Sequence, residues 1–127
     1  MAVIKAFECI RPDEKVADRV AALPYDVYNR EEALNEVERE PLSFLAIDRA
    51  ETQFDSSVDT YADCVYDKAR ELLDSRIADG TFITDTDKAY YVYELTMNGR
   101  TQTGIAACAS KDDYNNNIIK KHENTRA

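Results

Sequence analysis

The chain has 127 residues, a length typical of one domain that can bury a hydrophobic core. It carries 16 basic and 25 acidic residues, a net charge of −9, which disfavours binding to the phosphate backbones of nucleic acids. Hydrophobic residues make up 44% of the sequence, so disorder is not expected, and no apolar run approaches membrane-spanning length. We therefore expect a globular domain that binds neither nucleic acid nor a membrane.

Two helices are predicted in the first third of the chain. The first covers 13–23, where apolar residues recur at helical spacing after an acidic start. The second covers 30–40, with Asn29 as its N-cap and Glu32 at the position that completes a reciprocal capping pattern. The proline after each segment marks its end.

A third and longest helix is predicted at 58–78, capped by Ser56 or Ser57, because apolar residues follow one another there at steps of three and four. Gly80 stands where a left-handed residue commonly ends a helix. The apolar segment 42–48 is predicted to be a strand. Shorter strands are expected at 2–10 and 81–84.

The clearest local prediction is a hairpin at 89–110, because Asn98-Gly99 is the favoured two-residue turn between antiparallel strands. The turn sets Tyr93 opposite Gly104, where the ring can cover the glycine. Both faces of the hairpin are partly apolar, so we expect it near the centre of a small mixed or antiparallel sheet. The fold class is α+β, with residues 1–127 forming one domain and the long helix packed across the sheet.

Three cysteines, Cys9, Cys64 and Cys108, stand far apart and lack the CxxC or CxxH spacing of zinc sites, so no metal site is predicted. Cys64 and Cys108 lie in apolar periodic segments, where reduced cysteine usually packs in a core. The odd number of cysteines and the lack of a signal-peptide pattern predict a reducing cytoplasm.

The last ten residues reverse the sign of the charge. They hold three basic residues and one acidic residue, whereas residues 1–117 hold 13 basic and 24 acidic residues. A cationic cluster in an acidic body suits a small anionic ligand. The alternative is a solvated amphipathic helix at 118–126, whose two isoleucines dock on the sheet.

The side chains of this basic segment suit phosphate or carboxylate binding with proton transfer. Arginine offers a planar fork of donors and lysine a point charge, while histidine or glutamate can move a proton. The candidate catalytic residues here are His122 and Glu123, and the candidate ligand-binding residues are Lys120, Lys121, Thr125 and Arg126.

Two other loops contain candidate functional residues. Tyr25 and Asp26 follow Pro24 in a loop between predicted helices, where an aspartate can act as a general base, as a metal ligand or simply as a local cap. The stretch Asp48-Arg49-Ala50-Glu51 stands at the end of the predicted strand 42–48, and we interpret its Asp48 and Arg49 as a surface ion pair of small worth.

The chain ends soon after a new periodic stretch begins at Ile118-Ile119, without a C-cap or a closing loop. We therefore expect it to be the N-terminal part of a longer protein.

Several stretches resemble the N-terminal part of the bacterial and archaeal domain-of-unknown-function family 1015. They are IKAF at 4–7, AALPYDV at 21–27, SFL at 43–45, QTGI at 102–105, DDY at 112–114 and KKHENTR at 120–126. The PYDV and KKHExTR pieces are the most specific, and the resemblance covers the whole chain. In that family the chain continues past the HExTR motif.

The resemblance implies no settled activity. Members of the family are sometimes labelled ParB-like, and their genes often lie beside serine-biosynthesis genes. Related ParB-type folds, which include free-serine kinases, bind nucleotide phosphates with short His/Arg motifs that open a helix. Lys121, His122, Glu123 and Arg126 resemble such a motif in composition, although Lys120 stands where a glycine is usual.

Two functions are therefore expected. The first is a cytoplasmic domain that binds a small phosphorylated or nucleotide ligand, with a small-molecule kinase or other phosphotransferase using nucleotide and Mg²⁺ as its enzymatic form. The second is a non-catalytic regulatory or protein-interaction domain. The oligomeric state is not predicted.

Overall fold

The computed structural model describes residues 1–120, and the chain forms two compact units. One unit is 10–84, and the other combines 1–9 with the chain from 85 onwards. The helices are α1 (Ala17–Val20), α2 (Arg30–Arg39), α3 (Leu45–Asp48), α4 (Asp63–Ala78) and α5 (Lys111–Asn115). The strands are β1 (Ile4–Lys5), β2 (Ile10–Pro12), β3 (Phe82–Thr84), β4 (Tyr91–Met97), β5 (Arg100–Ala106) and β6 (Cys108–Ala109). They pair antiparallel as β1 with β6, β2 with β3 and β4 with β5. The predicted α+β class is confirmed.

The core of the unit 10–84 lies where α2, α3 and α4 meet. Its fully buried members are Ala33, Val37, Leu45 and Ala46, with Tyr28 and Leu72 packed against them. Helix α2 begins as predicted, because the Asn29 side chain accepts from the Glu32 amide while the Glu32 carboxylate accepts from the Asn29 amide, both at 2.9 Å. This capping box satisfies two N–H groups that the first turn would otherwise leave without partners.

The strand predicted at 42–48 is wrong, because Leu45–Asp48 forms helix α3. A short apolar run fits a buried helix turn as well as a strand, and Leu45 and Ala46 are both buried. The backbone before α3 is already satisfied elsewhere: the Phe44 amide donates to the carbonyl of Val20 at 2.8 Å. The segment therefore coils instead of pairing along a sheet.

Arg76 of α4 fixes the turn that leads into α3. Its guanidinium donates to the carbonyls of Pro41 at 2.7 Å, Leu42 at 3.1 Å and Ser43 at 3.2 Å. The side chain is only 5% exposed, and this burial lowers the pKa of Arg76, an effect opposed by Asp79. A buried cation is tolerated here because three carbonyl dipoles replace its lost water.

The helix predicted at 13–23 is reduced to the single turn α1. The Asp13 carboxylate accepts from the Lys15 amide at 2.9 Å, and the Asp13 amide donates to the Thr81 carbonyl at 2.9 Å, which extends the pairing of β2 with β3. Short aspartate side chains offer the backbone such turns in place of a helix. The acidic start therefore caps a turn and delays the helix.

The helix predicted at 58–78 begins later, at Asp63, with Ala62 as N-cap and no side-chain cap, so neither predicted serine caps it. The carboxylates of Asp55 and Asp59 each accept a hydrogen bond at 2.9 Å from the amide two residues on. The turn at Asp59 occupies residues that apolar spacing had assigned to helix, and the turn at Asp55 occupies the predicted capping residues. The predicted left-handed Gly80 is confirmed, with φ of +84°.

The predicted hairpin is confirmed, with Asn98 and Gly99 both at positive φ and Tyr93 opposite Gly104. Positive φ at both central residues is the geometry that a tight two-residue hairpin turn requires. Among the described residues, nothing lies within 4 Å of where a Cβ on Gly104 would stand, so the Tyr93 ring does not cover it. The prediction that the hairpin lies near the centre of a sheet is wrong as well, because within residues 1–120 β4 and β5 pair only with each other.

Tyr91 joins the base of the hairpin to the segment that follows β1. Its hydroxyl donates to the Asp85 carboxylate at 2.8 Å and accepts from the Cys9 amide at 3.1 Å, and its ring centroid lies 5.1 Å from that of Phe7. Partial burial, followed by the bond to Asp85, raises the pKa of the Tyr91 hydroxyl. The prediction that Cys64 and Cys108 are core residues is wrong, because both are exposed.

Replacing Arg76 with methionine should lower the free energy of unfolding by about 2–4 kcal/mol. Three buried carbonyls would lose their charged donor, and the methionine side chain cannot donate a hydrogen bond in its place. The matched control is Arg70→Met on the same helix, where the side chain is 83% exposed and pairs with Asp74 at 3.5 Å. That change should stay within about 0.5 kcal/mol. Urea unfolding measures both, and equal effects would contradict the assigned role of Arg76.

Candidate functional site

The turn Tyr25–Val27 presents two of the predicted site residues. Pro24, extended at φ −52° and ψ 142°, precedes a single 3-10 turn, and the side chains of Tyr25 and Asp26 are exposed. Arg49 holds the turn from behind: one of its nitrogens, Nη1, donates to the carbonyls of Tyr25 at 3.1 Å and Tyr28 at 2.8 Å. The turn is therefore held through its backbone, which leaves both side chains available to solvent.

Arg49 is also one half of an interior ion pair. Its Nε donates to Oε1 of Glu51 at 2.5 Å, and the two side chains are 17% and 2% exposed. The interpretation of Asp48 and Arg49 as a surface pair is wrong, because the partner of Arg49 is Glu51. The 3-10 helix Ala50–Gln53 turns Glu51 inward between buried neighbours. A buried pair of this kind is stable only because each partner keeps the other from being an isolated charge.

A cleft of about 300 Å³ opens beside this pair, and Glu51 lines it. Its other lining residues are Arg30, Glu31, Leu34, Thr52, Phe54 and Ser56. The guanidinium of Arg30 donates to the carbonyls of Asp55 at 3.3 Å and Val58 at 3.2 Å, which holds the loop that closes one side. The lining thus has one basic and two acidic side chains around apolar Leu34 and Phe54.

This charge balance decides which ligands the cleft suits. The one lining cation, Arg30, is engaged by backbone carbonyls, and the carboxylate of Glu51 is already paired with Arg49. Glu31 is the remaining charged lining residue, and an ionised carboxylate repels phosphate. The cleft lining therefore offers no unengaged cation to the predicted anion and suits a neutral compound with an apolar part.

The structure places two of the predicted site residues, Tyr25 and Asp26, next to each other in the unit 10–84. Tyr25 and Asp26 lie on the turn that Arg49 holds, so the same ion pair supports the turn and the cleft wall. Sequence reasoning placed Glu51 in the candidate stretch 48–51 but gave it no role of its own, whereas in the structure it is buried beside Ala50 and Thr52, which are also buried. Its position between two small residues was the signal available in the sequence.

Lys120 is the predicted ligand-binding residue that the structure describes in the basic segment. It is exposed, and its Nζ donates to the carbonyl of Asn117 at 2.9 Å. An ammonium has three donors, so this bond uses one of them. The other five predicted residues of the segment fall outside the described part of the chain: Lys121, His122, Glu123, Thr125 and Arg126.

The chain leading to this segment contains the short helix α5, which is capped by Ser110: its hydroxyl accepts from the Asp113 amide at 3.2 Å. The helix predicted from Ile118 does not begin there, because residues 118–120 are non-helical after Asn117 turns the chain at φ +58°. The remainder of the predicted helix falls outside the described residues.

Two further findings concern residues 1–120 alone. This part holds no group of three or more His, Cys, Asp or Glu side chains arranged to bind a metal ion. In the same residues, every helix is too short or too polar to cross a membrane.

A double-mutant cycle tests the interior pair. Arg49→Met should destabilise the protein by about 3 kcal/mol, because Glu51 would remain buried without its partner and two carbonyls would lose their donor. Adding Glu51→Leu should restore at least about 1 kcal/mol relative to the sum of the single changes.

The control cycle for this prediction uses Lys68 and Glu71, an exposed pair on α4 at 2.9 Å. Its coupling should not exceed about 0.5 kcal/mol. Unfolding by urea gives all the values, and a coupling at Arg49–Glu51 as small as that of the exposed pair would contradict the account.

Comparison with known proteins places the chain in a family. A family model described as Protein of unknown function (DUF1015) matches residues 4–127, which is nearly the whole sequence. No curated protein and no solved structure matches the chain. The resemblance of the PYDV and KKHENTR stretches is thus confirmed at the level of the family. This chain belongs to the DUF1015 family of proteins of unknown function.

Proposed function

We propose that this protein binds a small anionic molecule, a phosphorylated compound or a nucleotide, through the basic segment Lys120–Arg126. The reversal of charge carries the proposal: three of the last ten residues are basic and one is acidic, while residues 1–117 have a net charge of −11. In such a body, cations gathered within seven positions create a local attraction for anions that the rest of the surface lacks. The binding groups are Lys120, Lys121, Thr125 and Arg126.

The described part of the chain supports this placement in two ways. Lys120 presents an exposed ammonium. The cleft of the unit 10–84, lined by one engaged cation and two carboxylates, does not compete for an anion. An arginine fork together with ammonium groups is the usual recognition set for phosphate.

A catalytic form of the same proposal is phosphotransfer in the cytoplasm, with nucleotide and Mg²⁺ and with a serine-like hydroxyl compound as acceptor. His122 or Glu123 would take the proton from the acceptor hydroxyl while the cations hold the transferred phosphoryl group. Tyr25 and Asp26 are the second candidate pair, on a turn whose side chains face solvent. The exposed thiols of Cys64 and Cys108 support a reducing location.

Binding should be tested by calorimetry and thermal shift with ATP, ADP and inorganic phosphate, each with and without Mg²⁺ and serine. Arg126→Ala should weaken binding by about 10–100-fold, because a charge-assisted hydrogen bond is worth about 1.5–3 kcal/mol. Added salt should weaken it as well, since the attraction is electrostatic.

The matched control is Arg70→Ala, which removes the same charge from an exposed position on α4. This variant should bind within about twofold of the wild type, since long-range charge effects are screened. Absence of binding by the wild type to all of these compounds, or equal losses in the two variants, would contradict the proposal.

A further inference from the structure

The hairpin of β4 and β5 exposes an unusual amount of apolar surface. Six large apolar side chains on and beside it are more than half exposed: Tyr90, Val92, Tyr93, Leu95, Met97 and Ile105. Val92 and Ile105 are cross-strand partners at 75% and 74% exposure. Tyr93, Leu95 and Met97 lie on the opposite face of the hairpin, so apolar surface is exposed on both faces. A two-stranded hairpin alone is marginally stable in water, and a further strand beside it would stabilise it.

The hairpin is also the least charged long stretch of the chain. Residues 89–110 contain one acidic side chain, Glu94, and one basic side chain, Arg100, whereas 32% of the whole chain is charged. The pairing of β4 with β5 is regular along its whole length, without a bulge, and includes neither proline nor lysine. Bulges, prolines and lysines normally protect the edge strands of natural sheets, so an edge without them is suited to pairing with another strand.

The turn determines which backbone groups face outward. In a hairpin with a two-residue turn, the residues beside the turn exchange both backbone hydrogen bonds, and every second pair repeats this pattern. The inward-facing pairs therefore start with Met97 and Arg100. On β5 the alternate residues Thr101, Thr103 and Ile105 direct their N–H and C=O groups away from β4. Within residues 1–120, this outer edge of β5 has no strand beside it.

The outer edge of β5 is complementary to itself. If two copies pair antiparallel about a twofold axis at Thr103, Thr103 faces its own copy and Thr101 faces Ile105 of the other chain. Three facing pairs then exchange six backbone hydrogen bonds, and no charged side chains meet. The corresponding pairing of two β4 strands would be centred on Glu94 and would set two carboxylates opposite each other, which is unfavourable.

We propose that a second copy of this chain pairs with the outer edge of β5, giving a twofold dimer with a four-stranded antiparallel sheet. The neutral hairpin is the part of a −9 chain where two copies can approach with least repulsion. Seven residues span about 24 Å of strand, so strand pairing alone buries less than the roughly 1,600 Å² of a standard interface. The dimer is consequently weak and depends on protein concentration.

Sedimentation velocity of the protein over rising concentration tests this inference. The weight-average mass should rise from the monomer value of 14.4 kDa towards that of two copies and then stop. Added salt should strengthen association, because it screens the repulsion between two acidic bodies. This dependence is opposite to that expected for anion binding by the basic segment, so the two proposals can fail separately.

Two threonine variants locate the contact. Thr103→Lys places two ammonium groups opposite each other at the axis and should weaken association about fivefold. The change removes the hydroxyl hydrogen bond from Thr103 to Glu94, its cross-strand partner, but the new lysine can pair with Glu94 and keep the hairpin folded. Thr96→Lys, on the other strand, changes the net charge equally and also removes one cross-strand hydroxyl contact. It should associate within about twofold of the wild type.

Three results would overturn the inference. The first is a wild-type protein that stays at monomer mass at every concentration. If, in addition, its hairpin amides become protected only when a β-forming peptide is added, the edge binds a peptide partner instead. The second is an equal loss in the two lysine variants. The third is a mass that continues to rise beyond two copies, because a twofold pairing closes at the dimer.

Discussion

The unit formed by 10–84 depends on one buried guanidinium, that of Arg76. Three carbonyls of the Pro41–Ser43 turn accept its hydrogen bonds, and this turn connects α2 to α3 across the core. Because these carbonyls are satisfied by a side chain, the following residues can form a helix whose buried face supplies Leu45 to the core. The side chain of Arg76 thus joins α4, the Pro41–Ser43 turn and α3 through three hydrogen bonds in a largely apolar core.

Arg49 holds backbone in the same way, beside the cleft. It joins the exposed turn of Tyr25 and Asp26 to Glu51 in the cleft wall, with two carbonyls and one carboxylate as its partners. Both arginines stabilise irregular backbone, which explains how a small core can hold loops in defined positions. The lining of the resulting cleft offers no unengaged cation, whereas the proposed anion site is the basic segment Lys120–Arg126.

The sequence was sufficient wherever a local signal determined the structure. The capping box of Asn29 and the turn at Asn98-Gly99 were both predictable, because each needs only neighbouring residues. It was insufficient where tertiary contacts decided. Within the run 42–48, Leu45–Asp48 forms a helix because Arg76, more than thirty residues away, takes the carbonyls of the turn before it. Likewise, Glu51 is a cleft residue only because the 3-10 turn directs it inward, a placement that apolar periodicity does not report.

The packed helices around Leu45 are distinct from the hairpin edge that we propose as a contact surface. Hydrogen exchange of the wild-type protein, followed amide by amide at low and high concentration, tests this separation most directly. We predict that the amides of α4 exchange slowly at every concentration. The outward amides of Thr101, Thr103 and Ile105 should exchange rapidly when dilute and gain protection as the protein is concentrated. Outward amides as protected as those of α4 at the lowest concentration, or unaffected by concentration, would contradict the account.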